Sequence, residues 1–283
     1  MATFTNKATL SYNGGSTDSN IVTGTLLETL SASKTALVNS YEQGSEITYV
    51  VNLVSSGAGA FSNLNLSDNL GAYSYNGTML YPLSYIDGAI LYYVNGVLQP
   101  SPEVVAGPML SISGISVPAG GASTIIYSVV VNEFAPIEAQ ESITNTVTIT
   151  GSGLTEPITA SETINTVDSP NLSITKALSP VAVPENGEIT YTFVIQNSGN
   201  TDAVATDNLV VSDIFDPILD ISSVTLNGAP LVLNTDYTYN DQTGEFATIP
   251  STITVPRATY TRADDGSFVV VPSTATLVVV GLI

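Results

Sequence analysis

Apolar and polar residues alternate along most of this 283-residue chain. In "GSEITYVVNLVSSG", Ile47, Tyr49, Val51 and Leu53 take every second position, and in "GEITYTFVIQNSG" Ile189, Tyr191, Phe193 and Ile195 do the same. A period of two places such side chains on one face of a strand. No helix-length window repeats apolar residues at i, i+3, i+4 and i+7. The alternating runs are short and are broken by Gly, Pro, Asn and Asp. The pattern predicts an all-β chain, and its length suits two medium domains better than one.

The pattern repeats. "SASKTALVNSYEQGSEITYVVNLVSSG" (31–57) aligns without gaps to "SITKALSPVAVPENGEITYTFVIQNSG" (173–199), and "NLNLSDNLG" then matches "NLVVSDIFD". Lys34 to Ile47 and Lys176 to Ile189 are both 13 residues. Later, "VNGVL" (94–98) matches "LNGAPL" (226–231), and "VPAGGASTIIYSVVV" (117–131) matches "VPSTATLVVV" (271–280). These are two copies of one β-domain. The stretches 72–116 and 234–266 read as long insertions. The first copy continues through "NEFAPIEAQ" into "SITNTVTITG", read as its last strand, whereas the second stops at Ile283 without that strand.

The strand reappears at the other end of the chain. "TFTNKATLSYNG" (3–14) matches "SITNTVTITGSG" (142–153): Thr5, Asn6 and Thr9 answer to Thr144, Asn145 and Thr148, and Phe4, Ala8 and Leu10 stand where Ile143, Val147 and Ile149 do. The expected layout is an N-terminal donor strand (1–15), a connector (16–30), a complete sandwich (31–153), a linker (154–169) and a second sandwich (170–283) lacking its last strand.

A Lys on the first strand, "G-E-I-T-Y-T" on the next, "N-S-G" at its end, "V-S-D" soon after and "I-T-N-T-V-T" last resemble the repeat named domain of unknown function eleven. That family is an immunoglobulin-like β-sandwich strung along surface proteins of Gram-positive and other bacteria. The resemblance covers 31–153, and 170–283 except its final strand; 72–116 is not diagnostic. It implies two tandem immunoglobulin-like sandwiches. It also implies a spontaneous amide bond between Lys and Asn side chains, of the kind that pilin and adhesin sandwiches carry. Such a bond needs a Lys and an Asn facing inward beside an acid. Burial lowers the Lys pKa and raises that of the acid, so a neutral amine can attack while a protonated acid polarises the amide, and ammonia leaves.

Strand parity bears on this without the family. Lys34 shares a face with Leu30 and Ala32, and Lys176 with Leu172 and Ile174. Asp68 lies with Leu64, Leu66 and Leu70, and Asp213 with Leu209, Val211 and Phe215. Asn145 lies with Ile143, Val147 and Ile149, and Asn6 with Phe4, Ala8 and Leu10. Glu46 and Glu188 fall on the opposite face, which leaves Asp68 and Asp213 as the catalytic acids. An unpaired buried charge is costly, so an inward Lys is uncommon. Only three Lys exist, and two hold equivalent positions. A cross-link and an ion pair with a hydrogen-bonding Asn look identical at this level.

A sandwich without its last strand exposes an edge and an apolar groove. The N-terminal strand, anchored by Phe4, Ala8 and Leu10, has the alternation to fill that groove by strand addition. Donation by each subunit to the next does not close and yields a filament. The expectation is a self-assembling structural subunit of a bacterial surface fibre, pilus-like or a spore appendage. Lys34–Asn145 would bond within a subunit and Lys176–Asn6 between subunits. The partners are copies of the chain itself, and no cofactor is called for. The alternative is a monomeric adhesin or stalk fragment.

Composition narrows the field. Five Lys plus Arg against 25 Asp plus Glu give a formal charge of −20, which disfavours nucleic acid and anionic membranes. The chain has no Cys and no His, which removes disulfides, thiol nucleophiles, Ser/His/Asp triads and the commonest transition-metal sites. The chain is therefore read as no enzyme beyond its own bond formation. The Asp clusters "TDAVATDNLVVSD" and "RADDGS" lack calcium-loop spacing, and no carboxylate pair stands out for glycoside hydrolysis. No signal peptide and no membrane-length apolar run is visible, which suits either assembly in a sporulating mother cell or a trimmed form.

Overall fold

The computed structural model describes residues 2–26 and 29–283, and these are all β apart from one 3-10 turn at Ala205–Asp207. The chain divides into two compact units. Unit 1 comprises Met1–Pro136 and Glu141–Thr166; unit 2 comprises Ile137–Gln140 and Val167–Ile283.

Unit 1 is a sandwich of two sheets. One has the order Val97–Leu98, Leu83–Val94, Ala122–Val131, Glu46–Ser55, Leu30–Ala36. The other runs Glu103–Ala106, Leu110–Val117, Phe61–Asp68, Ser142–Ser152, Ile158–Thr166, Ser40–Tyr41. The alternation read from the sequence becomes the core between them: Ile47, Tyr49, Val51 and Leu53 from the first sheet meet Leu64, Leu66, Val147 and Ile149 from the second. Residues 72–116, expected as an insertion, are part of this body, with Leu83, Ile90, Tyr92, Leu110, Ile112 and Ile115 all buried.

Residues 154–169 are not a linker, and Ser142–Ser152 is not the last strand. Ile158–Thr166 pairs antiparallel with it from Ser142↔Asn165 to Ile149↔Ile158, and unit 1 ends at Thr166 rather than 153. "ITASETINT" hides its inward face because the positions that turn to the core are Ile158, Ala160 and Ile164, interrupted by Glu162.

Unit 2 repeats the plan with fewer strands. Its larger sheet has the order Leu172–Ser179, Glu188–Asn197, Ser273–Leu282, Asp220–Leu226, Ala229–Pro230, and its smaller one Ser212–Ile214, Glu245–Thr248, Tyr237–Tyr239. Part of the stretch 234–266, also expected as an insertion, therefore lies in the smaller sheet. The "N-S-G" motif has a structural task here: buried Asn197 accepts from the backbone N–H of Asn171 (3.0 Å) and Gly199 (2.9 Å) and donates to the Thr201 carbonyl (2.9 Å). The "VVV" alignment of the two copies shifts once pairing is seen. Tyr127 stands opposite Tyr49, and the residue opposite the equivalent Tyr191 is Val279.

The N-terminus also departs from the expected layout. Ala2–Asn6 pairs with Val22–Leu26, and Thr9–Tyr12 with Gly15–Asp18 across a two-residue turn, Asn13–Gly14, in which Gly14 has φ +119°. The donor strand of 1–15 and the connector of 16–30 are thus two arms of a hairpin. The connector's residues 27 and 28 lie outside the described residues. An Asn-Gly pair between β-formers is a strong short-range hairpin signal, and it is present in the sequence.

Candidate functional site: a Lys, Asp and Asn cluster

In unit 1 the three polar residues meet inside the core. Lys34 comes from an edge strand, Asp68 from the end of Phe61–Asp68, and Asn145 from Ser142–Ser152, where Val147 faces Asp68 and Asn145 lies one same-face position further. The side chains of Lys34 and Asp68 are 0% and 1% exposed, and Asn145 is fully buried. Lys34 Nζ donates to Asp68 Oδ2 at 2.6 Å. The same oxygen accepts from the Tyr127 hydroxyl, and Asp68 Oδ1 accepts from the Leu70 N–H at 2.8 Å. Lys34 Nζ also lies 4.5 Å from the centre of the Tyr49 ring. Burial outweighs the attraction of Asp68 and lowers the Lys34 pKa from 10.5 to about 8. Burial pushes the Tyr49 and Tyr127 hydroxyls up, with the Asp68 charge adding to the effect.

The amide of Asn145 is the anomaly. It lies close enough to the Tyr49 and Tyr127 hydroxyls to act on both, yet its Nδ2 and Oδ1 and the Tyr49 hydroxyl make no hydrogen bond of good geometry. Leaving a buried polar group unpaired costs about 1–3 kcal/mol. Native cores rarely keep such a group without a use for it. The same two tyrosines touch an amine whose proton comes off unusually easily, Lys34, and the carboxyl in contact with it, Asp68. Those are the parts that amide exchange requires. Tyr49 and Tyr127 are legible as inward residues from parity, but no local signal marks them as part of this cluster. Glu162, opposite Asn145 on the following strand, goes unseen in the sequence together with that strand; its charge also acts on Lys34.

Unit 2 holds the same Lys and Asp, but no Asn among the described residues stands where Asn145 does. Lys176 donates to Asp213 Oδ2, and Asp213 Oδ1 accepts from the Ile214 N–H at 3.0 Å. Lys176 Nζ lies 4.6 Å from the Tyr191 ring centre and 5.5 Å from those of Phe193 and Phe215. Here the Lys side chain is 41% exposed and the Asp 19%. Ser212–Ile214 is an edge strand that pairs on one side only, with Glu245–Thr248, and no described residue takes the side that Ser142–Ser152 takes beside Asp68. Every residue of Leu172–Ser179 is exposed, including Ile174 at 53%, whereas Leu30 and Lys34 of the matching strand are buried.

Asn6 lies exposed on the N-terminal hairpin, opposite Val22. Phe4 is 52% and Leu10 65% exposed, and Ala8 is exposed as well. Lys7 Nζ and Thr9 Oγ1 donate to Asp18 at 2.5 and 2.7 Å, tying the two arms together; the Lys7 bond, then that of Thr9, holds the Asp18 pKa below its ordinary value. Glu46 and Glu188 are exposed, on the outer face. Among the described residues, no group of three or more Asp and Glu is placed to hold a metal ion, and no helix is long and apolar enough to cross a membrane.

No family model and no curated protein matches the chain. Solved structures with some likeness include the major pilin subunit of Bacillus cereus (10% identity, 96% of this chain and 73% of that one, TM-score 0.37). Others are the pilus backbone of Streptococcus pneumoniae (13%, 89% and 50%, TM-score 0.36) and a family 123 glycoside hydrolase from Clostridium perfringens (12%, 49% and 27%, TM-score 0.32). Likenesses at TM-scores this low do not bear on function.

Proposed function

We propose that this protein is the structural subunit of a bacterial surface fibre, assembled head to tail by donor-strand complementation and made covalent by Lys–Asn amide bonds. The observation that carries the reading is the difference between the two Lys/Asp pairs. One is sealed in a core around an unpartnered amide, and the other is half open beside an unpaired sheet edge. The hairpin bears the Asn that unit 2 does not have.

Within unit 1, Lys34 hands a proton to Asp68, and its neutral Nζ attacks Cγ of Asn145. An N–C bond forms, the C–Nδ2 bond breaks, and Nδ2 takes up protons and leaves as ammonium, so Asp68 returns to its carboxylate. Lys176, Asp213 and the Asn6 of a second copy repeat the step at each junction. In the register of unit 1, Ala8 then faces Asp213 and Leu10 faces Val211, as Val147 faces Asp68 and Ile149 faces Leu66. Seating covers Phe4 and Leu10, each worth roughly 1.5–3 kcal/mol when fully buried. No cofactor enters, the chemistry is directed at the chain itself, and the place of action is a cell- or spore-surface appendage.

The test is to boil the assembled protein in detergent and separate it by size. A ladder that disappears in Asn6→Ala and Lys176→Ala supports the reading, and a lone monomer band from wild type overturns the covalent part. Intact mass reports unit 1 separately: a deficit of one ammonia that is absent in Asn145→Ala supports the inner bond, and full mass leaves Lys34 as an ion pair.

A further inference from the structure

Closing unit 1 takes two strands. Ser142–Ser152 fills the edge beside Asp68, but Ile158–Thr166 then packs against Leu30–Ala36, the strand that bears Lys34. Ile164 of that second strand is fully buried, and Ile158 and Ala160 pack on the core. The second arm therefore does what a single strand cannot: it covers the lysine strand. In unit 2 the lysine strand is exposed over its whole length, so it wants the same two-stranded cover.

The N-terminal hairpin supplies both arms already paired. The positions opposite one another in unit 1 are Ile143 with Ile164 and Asn145 with Glu162; in the hairpin they are Phe4 with Gly24 and Asn6 with Val22. One large and one minimal side chain replace two of middle size, and the fit is close. A Cβ added at Gly24 would stand 2.4 Å from the Phe4 ring, which lies over that glycine. Val22 is 55% exposed on the face that carries Phe4 and Asn6. It replaces a charge with an apolar group, as an occupant of the apolar ladder Leu172, Ile174 and Leu178 should.

We infer that the element donated between subunits is the whole hairpin of residues 2–26 of a second copy, with its return arm laid across Leu172–Ser179 so that Val22 and Gly24 help enclose Lys176. This rests on the donor-strand reading and refines it. The return arm becomes a determinant of assembly in its own right, and enclosure of Lys176 waits for both arms.

Two peptides added to assembling full-length protein separate the refinement from its parent. A peptide of residues 2–26 is expected to cap growing ends and shorten fibres, seen by electron microscopy, at concentrations about tenfold or more below a peptide of residues 2–13. Equal capping by both overturns the hairpin and leaves single-strand donation standing; capping by neither, while fibres still form, overturns both. In the full chain, Val22→Asp alters only the exposed return arm, whereas Gly24→Val also pushes the Phe4 ring off its seat over the glycine and so disturbs the match of the two arms. Each is expected to leave the melting of the two units unchanged and to abolish fibres and the Lys176–Asn6 cross-linked peptide in a digest. Wild-type assembly by both variants overturns the inference.

Discussion

Units 1 and 2 present one chemical idea in two states. Lys34 and Lys176 occupy the same place on the same strand, each in contact with an Asp and each over aromatic rings. Their side chains are 0% and 41% exposed. The difference does not come from the residues themselves but from the strands that cover them. In unit 1 the cover is built in. In unit 2 the edge beside Asp213 has no partner among the described residues. Burial is what turns a lysine from a solvated cation into a nucleophile. On the proposed reading, a subunit built this way reacts inside one domain and waits for its neighbour at the other.

The comparison can be broken most forcefully at Lys34. Lys34→Met removes the amine of the proposed inner bond and leaves Asp68 buried without its cation, a loss expected to exceed about 5 kcal/mol if the bond forms, so that unit 1 melts first or fails to fold. Calorimetry that shows unit 1 melting as before would mean the cluster carries no stability. Asn145→Ala comes next. Its amide has no hydrogen bond of good geometry to lose, so an uncross-linked unit 1 should tolerate the change within about 1 kcal/mol. If the bond spans that loop as a covalent clasp, the loss should be about 4–5 kcal/mol, by analogy with a disulfide closing a loop of that length.

A smaller effect concerns pH. Because burial puts the Lys34 pKa at about 8, below its ordinary 10.5, the neutral fraction of Lys34 grows as pH rises and saturates above 8. On the proposed path, however, the proton passes from Lys34 to Asp68 within the pair, so the reactive form holds the same protons as the ion pair: unit 1 refolded at fixed pH should release ammonia at a constant rate below about pH 8 and about tenfold more slowly for each pH unit above it, where the protonated Asp68 is lost. A rate that climbs about tenfold per pH unit up to 8 would show that the Lys34 proton leaves to solvent rather than to Asp68. Lys176→Ala should then cost the isolated subunit less than about 1 kcal/mol, since its pair stands partly in water, while removing the proposed covalent junctions. At the bottom of the scale, Asp18→Asn cuts exposed contacts between the hairpin arms and should leave the melting of both units unchanged.

Much of the candidate site is legible as parity. A strand has only two faces, so counting from Leu30 to Lys34 or from Leu66 to Asp68 tells which residues look inward. What parity cannot give is a partner. Tyr127 joins Asp68 because Ala122–Val131 pairs with Glu46–Ser55 in one register, and a string of valines in the second copy suggests a different one. The strand Ile158–Thr166 is hard to see in the sequence because a strand near a sheet edge needs few apolar residues when its neighbours supply the rest of the core. The hairpin at 2–26 is masked in spite of Asn13–Gly14, since one arm matches an internal strand so well that the other reads as a connector.

The sequence by itself determined the all-β alternation, the two copies and the inward placing of Lys34, Asp68, Asn145, Lys176 and Asp213, because each follows from local spacing and a period of two. Only the tertiary structure decided which of those residues lose their water. It showed that two strands, rather than one, close unit 1, that the Asn145 amide is buried without a partner, and that Lys176 lies open beside an unpaired edge. Desolvation depends on every element packed around a group, most of them far away along the chain, and no stretch of sequence around a lysine contains that information.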